Sequence, residues 1–285
     1  MRSGSYLNEV ELLSRITKAD VLLLGETHGN PQHHAIQLKL LLARLKSGAR
    51  PALMMEQLNA ENQSELDLAL AGSKRDEVLD KVNALIKFSN AHDYQPLLTS
   101  AVDNKLPIIA ANIVTQKLQP AVWRGYDAYD ADEIKRLAVE EVWNEKRQQY
   151  LATHMGGAHC GKLRDELRLG LSRSQRLKDA LMVDNAVASI PRGIIAIVGS
   201  SHARRDIGLP LYFAARNPET HILSIGIMEV NESVTDPKHY LADSATGEVP
   251  FDLVWFTARV AREDPCANFN MPKVAPAAAE ADDKK

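Results

Sequence analysis

Four short stretches of this chain run from continuous aliphatic residues straight into polar ones. They are VLLLGETH (21–28), RPALMMEQL (50–58), LPIIAANI (106–113) and GIIAIVGSSH (193–202). Their aliphatic cores show no polar/apolar alternation, so each reads as a strand buried on both faces, the pattern of a parallel sheet covered by helices. After the first stretch, Asn30 suits a helix N-cap and Pro31 the first helical position. Ile36, Leu38, Leu40, Leu41, Leu42 and Leu45 then place a helix over 31–46, with Gly48 as its stop. His33 and His34 fall on that helix and are expected to be partly solvated. Further helices are expected over about 61–71 and 75–88 and over DYQPLLTSAVDNK. Two more strands are expected in ETHILSIGIMEV and FDLVWFTA.

The segment from Ala121 to Ile190 reads as mostly helical, interrupted by HMGGAHCGK, and is too long for a simple crossover. The expected fold is therefore α/β: a mostly parallel sheet flanked by helices, with a helical lobe inserted between strands three and four. No repeat or linker divides the chain. One domain is expected over 1–268, with the sheet core in about 20–120 and 191–260 and the lobe in about 121–190. Residues 269–285 have no core face and read as a disordered tail.

Lys and Arg number 34 against 37 Asp and Glu, a net charge of −3, which argues against a nucleic-acid partner. No apolar run is long enough to span a bilayer, and MRSGSYLNEVELL lacks the apolar region of a signal sequence. Cys160 and Cys266 stand 106 positions apart, which fits no zinc spacing. They read either as one disulfide of an oxidising compartment or as two unpaired thiols. There is no G-x-S-x-G elbow, P-loop or H-E-x-x-H motif.

Ligands of open parallel sheets gather outside the carboxyl ends of the strands. Glu26 and His28 lie at that end of the first strand, Glu56 of the second and Asn112 of the third, while His202 follows the fourth. The elements GETH and GSSH thus occupy equivalent places, with glycines that allow close backbone approach. Each residue alone reads as a cap or loop residue; five on one rim predict a shared cleft. A second cluster lies in the lobe: Arg147, Tyr150 and His154 are spaced i, i+3, i+7 on one helix face, near Tyr126, Tyr129 and His159. A phenol, an imidazole and a guanidinium on one stripe suit a flat, anionic, metal-containing ligand such as haem. From the residues alone, a half-exposed helix face with a few aromatics packed on the sheet is the simpler reading.

LLLGETHGNPQHH, MMEQL, YQPLL, IIAANI, AHCG, QRLKDALM, IVGSSHARRDIGLP and EDPC follow one another in one order over about residues 20–268. The ordered set resembles the ChaN-like haem-binding family of bacterial haem and iron uptake. The resemblance implies ferric haem held in or near the lobe with a tyrosine on the iron; the stripe makes Tyr150 the expected ligand, with Arg147, His154 and His159 nearby and Tyr126 and Tyr129 as rivals. It also implies a homodimer, which haem itself can induce, and a periplasmic or outer-membrane lipoprotein. The lipid anchor such a setting needs is absent from this chain. Lys178 stands where an arginine is common and Val183 where an alanine is, both read as helix packing. The Gly-x-x-His pair also resembles a wider group of erythromycin-esterase-like hydrolases and metal-dependent proteases. That implies a hydrolase built on Glu26, His28, Glu56 and His202, with the option of a divalent metal in the strand-end pocket.

Overall fold

The computed structural model describes residues 5–86, 91–231, 233–234, 236–242, 244–247, 249–264 and 266–267. The expected disordered tail and the last residues of the helix expected over 75–88 lie outside these. Six strands, β1 (Val21–Glu26), β2 (Ala52–Asn59), β3 (Ile108–Asn112), β4 (Ile194–Gly199), β5 (Ile222–Glu229) and β6 (Leu253–Thr257), form one sheet. Their order is β3-β2-β4-β1-β5-β6, and every neighbouring pair is parallel.

The helices up to β3 are α1 (Glu9–Lys18), α2 (Pro31–Lys46), α3 (Gln63–Leu70), α4 (Arg75–Leu85) and α5 (Gln95–Asp103). Between β3 and β4 come α6 (Thr115–Arg124), α7 (Ala131–Arg136), α8 (Glu145–Ala158) and α9 (Asp165–Ala186), the helical insertion expected from the sequence. Two shorter helices, α10 (Ser200–Ala203) and α11 (Leu209–Arg216), lie between β4 and β5.

The strands carry two sets of apolar side chains because successive residues face opposite ways. Leu22, Leu24, Leu53, Met55, Ile195 and Ile197 pack under α1–α5. Val21, Leu23, Met54, Ile194, Ala196 and Val198 pack under α6, α7, α9 and α11. Both sets are fully buried, which explains the unbroken aliphatic runs; each buried Leu or Ile contributes about 2 kcal/mol. The helix start at Asn30 is as expected: its side chain accepts from the Gln32 N–H, and Pro31 opens α2.

Three local expectations are corrected. His33 and His34 are buried rather than partly solvated, because α2 turns that face onto the sheet. Helix α8 runs through His154–Ala158, so the break comes only after the two glycines, at His159–Arg164. The strand in GIIAIVGSSH ends at Gly199, and SSHA is a helical turn packed onto β1. That turn is why GETH needs its glycine: a Cβ on Gly25 would stand 2.7 Å from Ala203 Cβ and 3.0 Å from Ser200 Cα.

Cys160 and Cys266 form a disulfide, joining the end of α8 to the segment after β6. Among the described residues no helix is long and apolar enough to cross a membrane.

Candidate functional site

Glu26 is the last residue of β1 and projects to the same face as Leu22 and Leu24, under α2 and α5. It is 1% exposed, and donors surround it. Its Oε1 accepts from Nδ1 of His28 at 2.8 Å and from the Tyr94 hydroxyl; its Oε2 accepts from Gln37 Nε2 at 2.7 Å. His34 Nε2 stands 3.5 Å from Oε2. Burial alone would raise this carboxyl, but the His28 hydrogen bond and the neighbouring His34 imidazole override it and hold it at about 2.

The turn that presents His28 is fixed from behind. The Thr27 N–H donates to His33 Nδ1 at 2.9 Å, so the His33 proton sits on Nε2 and is donated to Thr257 Oγ1, also at 2.9 Å. Burial pushes His33 down to about 4, which keeps it in that neutral form. Asn30 Nδ2 donates to Glu229 Oε1 at 2.8 Å and closes the turn against β5.

Glu56 belongs to the other face of the sheet, under α9. Its Oε2 accepts from the Gly199 N–H at 2.7 Å; its Oε1 accepts from Lys178 Nζ at 2.9 Å and His202 Nε2 at 3.2 Å. His202 Nδ1 donates to Asp179. Burial works against charge on both partners, yet the Glu56 and Asp179 charges push His202 up to about 9, while His202 and Lys178 hold Glu56 well below the usual carboxylate range. His202 is therefore an imidazolium clamped between two carboxylates.

The two halves meet over Gly199. A Cβ there would lie 3.1 Å from His28 Nε2 and 3.5 Å from Glu56 Oε2, so a side chain at this position would press on the His28 ring. His28 keeps 41% of its side chain exposed. Burial lowers its ionisation, but the Glu26 hydrogen bond and the Glu56 charge raise it further. Glu26, His28, Glu56 and His202 thus converge at the carboxyl ends of β1, β2 and β4. Asn112 borders the same region: its Nδ2 donates to Asn59 Oδ1 at 2.8 Å, and both line a cavity of about 710 Å³ with Glu56 and Lys178. Among the described residues, no three or more His, Cys, Asp and Glu side chains are placed to hold a metal ion. Both oxygens of Glu26 and both of Glu56 are already engaged by protein donors.

The four lobe residues do not share one place. Tyr150 and His154 stack with ring centroids 6.0 Å apart. His154 Nε2 lies 3.2 Å from Ser201 Oγ, and the Arg204 guanidinium covers the Tyr150 ring at 4.9 Å. Arg147 turns away, donating to Val142 O and lining a separate cavity of about 1000 Å³ beside α11. His159, bonded through Nδ1 to Met155 O, lines the strand-end cavity with Glu56 and Asn112. The hydroxyls of Tyr126 and Tyr129 donate to the backbone oxygens of Arg173 and Lys117, and burial raises both phenols.

Sequence reasoning missed Tyr94, Gln37, Lys178 and Asp179. Lys178 is no packing residue: it is an ion-pair partner of Glu56, whereas Val183 is buried in the core as read. Asp179 could have been found. It shares the buried stripe of α9 with Ala180 and Val183, and an acid on such a stripe requires a partner.

Among solved structures, this fold is similar to one titled "Cofacial heme binding to ChaN of Campylobacter jejuni". The two are 20% identical with a TM-score of 0.67, over 82% of this chain and 92% of that one. Weaker likenesses are to the type III effector HopBA1 (12% identity, TM-score 0.45, 87% of this chain and 92% of that one) and to an erythromycin esterase EreC mutant (14%, 0.41, 77% and 72%). No curated protein matches the chain. Residues 12–213 match the family described as "Haem-binding uptake, Tiki superfamily, ChaN", and the chain belongs to that family.

Proposed function

We propose that this protein binds ferric haem for bacterial uptake or storage, with Tyr150 on the iron and His154 beside it. Family membership supplies the ligand class. The observation that carries the site is the Tyr150–His154 stack, half-buried on α8 and backed by Arg204. A phenol and an imidazole are both axial ligands of haem iron, so the donors fit the group. When bound, haem supplies a Lewis-acidic iron and two propionates. The protein's part is to hold the phenol and imidazole in place. Tyr126 and Tyr129 are weaker candidates because their hydroxyls serve the backbone. Arg147 and His159 reach separate cavities, and contact with one haem from either requires movement or a second copy of the chain. A homodimer closed around haem is part of the reading, as is a periplasmic or outer-membrane setting, which the disulfide supports.

Hemin titration followed by visible spectroscopy tests this. A phenolate-ligated, high-spin spectrum is expected, lost in Tyr150→Phe and kept in Tyr126→Phe and Tyr129→Phe. A titration giving only the spectrum of free hemin overturns haem binding; an unchanged spectrum in Tyr150→Phe overturns the ligand alone.

A second reading is favoured by the paired imidazoles at the strand ends. His28, oriented by Glu26, has the arrangement of a general base, and Lys178 with the His202 imidazolium offers positive charge beside it. In this reading the cleft is hydrolytic. A His28→Ala variant that keeps haem binding but loses ester hydrolysis would separate the two activities; wild-type protein inactive on a panel of carboxylic esters and amides would remove the second.

A further inference from the structure

The turn that follows β4 serves two places at once. His202 belongs to the strand-end cluster, where Glu56 and Asp179 clamp it. Ser201 and Arg204 meet the lobe instead. Ser201 Oγ lies 3.2 Å from His154 Nε2, and the Arg204 guanidinium stands 4.9 Å from the centre of the Tyr150 ring. The stretch Ser201–Arg204 thus supplies a partner to each of the two stacked rings on α8.

This stretch is held from the sheet side. Ser224 Oγ donates to Ala203 O, and the Gly208 N–H donates to Arg204 O at 2.9 Å. A Cβ on Gly208 would clash with His202 O, so the following turn packs directly against it. Asp206 accepts from Arg204 Nε at 2.9 Å and from a terminal guanidinium nitrogen at 2.8 Å, and also accepts from the Ala245 N–H. Ser201 and Arg204 are therefore fixed points against which the α8 rings are set.

The Ser201 contact decides what His154 can do. An imidazole binds iron through a nitrogen that has no proton and an unused lone pair. If the Ser201 hydroxyl donates, the Nε2 lone pair is taken. If Nε2 donates, it carries the proton. In both cases Nε2 is withheld from a metal. Nδ1, next to Cβ, is the more hindered nitrogen of any histidine. Arg204 acts in the opposite sense on Tyr150: a cation over the ring offsets the negative charge of a phenolate.

We infer that Ser201 is a positioning residue that selects the iron ligand: by engaging His154 Nε2 it keeps the imidazole off the iron and leaves that bond to Tyr150. This rests on the haem reading and adds which of the two stacked donors binds, and why. Without the hydroxyl, His154 becomes a competent ligand on the same helix face, one turn from Tyr150. A residue that touches only the ligand's neighbour thereby sets the chemistry of the site, as partners of metal-binding side chains commonly do.

The test titrates the whole chain with hemin in wild type, Ser201→Ala, Ser201→Thr, Tyr150→Phe, Tyr150→Phe/Ser201→Ala and that double variant with His154→Ala added. Ser201→Ala should add a nitrogen-ligated spectrum to the phenolate one, while Ser201→Thr, which keeps the hydroxyl, should match wild type. Tyr150→Phe should bind hemin about tenfold or more weakly. Adding Ser201→Ala should recover most of that loss with a nitrogen-ligated spectrum, and removing His154 as well should abolish the recovery. In haem-free protein, nitrogen-15 NMR should show His154 Nε2 hydrogen-bonded in wild type and Ser201→Thr and released in Ser201→Ala, with equal thermal midpoints in all three. An unchanged spectrum in Ser201→Ala, or a double variant that binds no better than Tyr150→Phe, overturns the selection alone. Wild-type protein that leaves hemin free overturns the haem reading, and the selection with it.

Discussion

His28 places Nδ1 2.8 Å from Glu26 Oε1 and turns its other edge toward Gly199, where a Cβ would stand 3.1 Å from Nε2. The residue opposite β1 on the neighbouring strand thereby sets the position of the imidazole. In Gly199→Ala the new methyl should displace the ring from its carboxylate neighbours. The His28 ionisation, now raised, should move back toward that of an ordinary histidine. Proton NMR titration of the histidines checks this, and an unshifted His28 would show that the cleft has room the structure does not display.

Glu56 answers two cations at once, Lys178 and His202, while accepting from the Gly199 N–H. Glu56→Gln keeps an oxygen for the amide but removes the charge between them. Removing one partner of a buried ion pair typically costs about 3–5 kcal/mol, because the other is left buried and uncompensated. Urea unfolding at neutral pH should show a loss of that order. Lys178→Met should lose less, since His202 still faces Glu56.

The same charges predict a pH dependence with two limbs. His202 is raised from the ordinary 6.5 to about 9, so its contribution is fully present below the ordinary value and is lost as pH rises through 9. For a fully buried group, that difference is worth about 3 kcal/mol. Glu26 is lowered to about 2, so its contribution is present above the ordinary 4.5 and is lost as pH falls toward 2. Stability should therefore decline between pH 7 and 9, and again below pH 4.5. Glu56→Gln should flatten the alkaline limb, because it removes a main cause of the raised His202.

The strand-end cluster was legible where one residue's place decides its direction. Glu26, His28, Glu56 and His202 each follow an unbroken aliphatic run, so the end of the strand locates them. Their supports were not legible in the same way. Tyr94 precedes α5, and Lys178 and Asp179 lie within α9, 122 and 23 residues from the groups they bind. Only the packing of those helices on opposite faces of the sheet brings them in. The lobe stripe failed in another way. Spacing correctly put Arg147, Tyr150 and His154 on one helix, but spacing does not say that the Arg147 guanidinium bends back to Val142 O. Nor does it say that the break after α8 carries His159 into a different cavity.

The last prediction concerns a second copy of the chain. Haem has two broad apolar faces, and Tyr150 with His154 offers donors to only one of them. The strand-end cavity beside α8 mixes polar Glu56, Asn59, Asn112 and Lys178 with apolar Ile113, Leu118, Met155 and Leu171, and the Tyr150–His154 stack does not line it. Apolar surface left in water forfeits about 25 cal/mol per Å², so an uncovered face is a strong drive toward a partner. Two-fold pairing is the commonest way for one chain to supply the missing wall, and it would bring two α8 stripes face to face. Because such a dimer is assembled around ligand, haem should shift a monomer–dimer equilibrium by mass action. Sedimentation velocity of haem-free and haem-loaded protein at one concentration should show the loaded form larger, and Tyr150→Phe should weaken that shift. A fully loaded protein that sediments as a monomer would mean that one lobe encloses haem alone, through a movement of α8 that uncovers Leu151 and the Trp143 and Ile207 side chains it packs against.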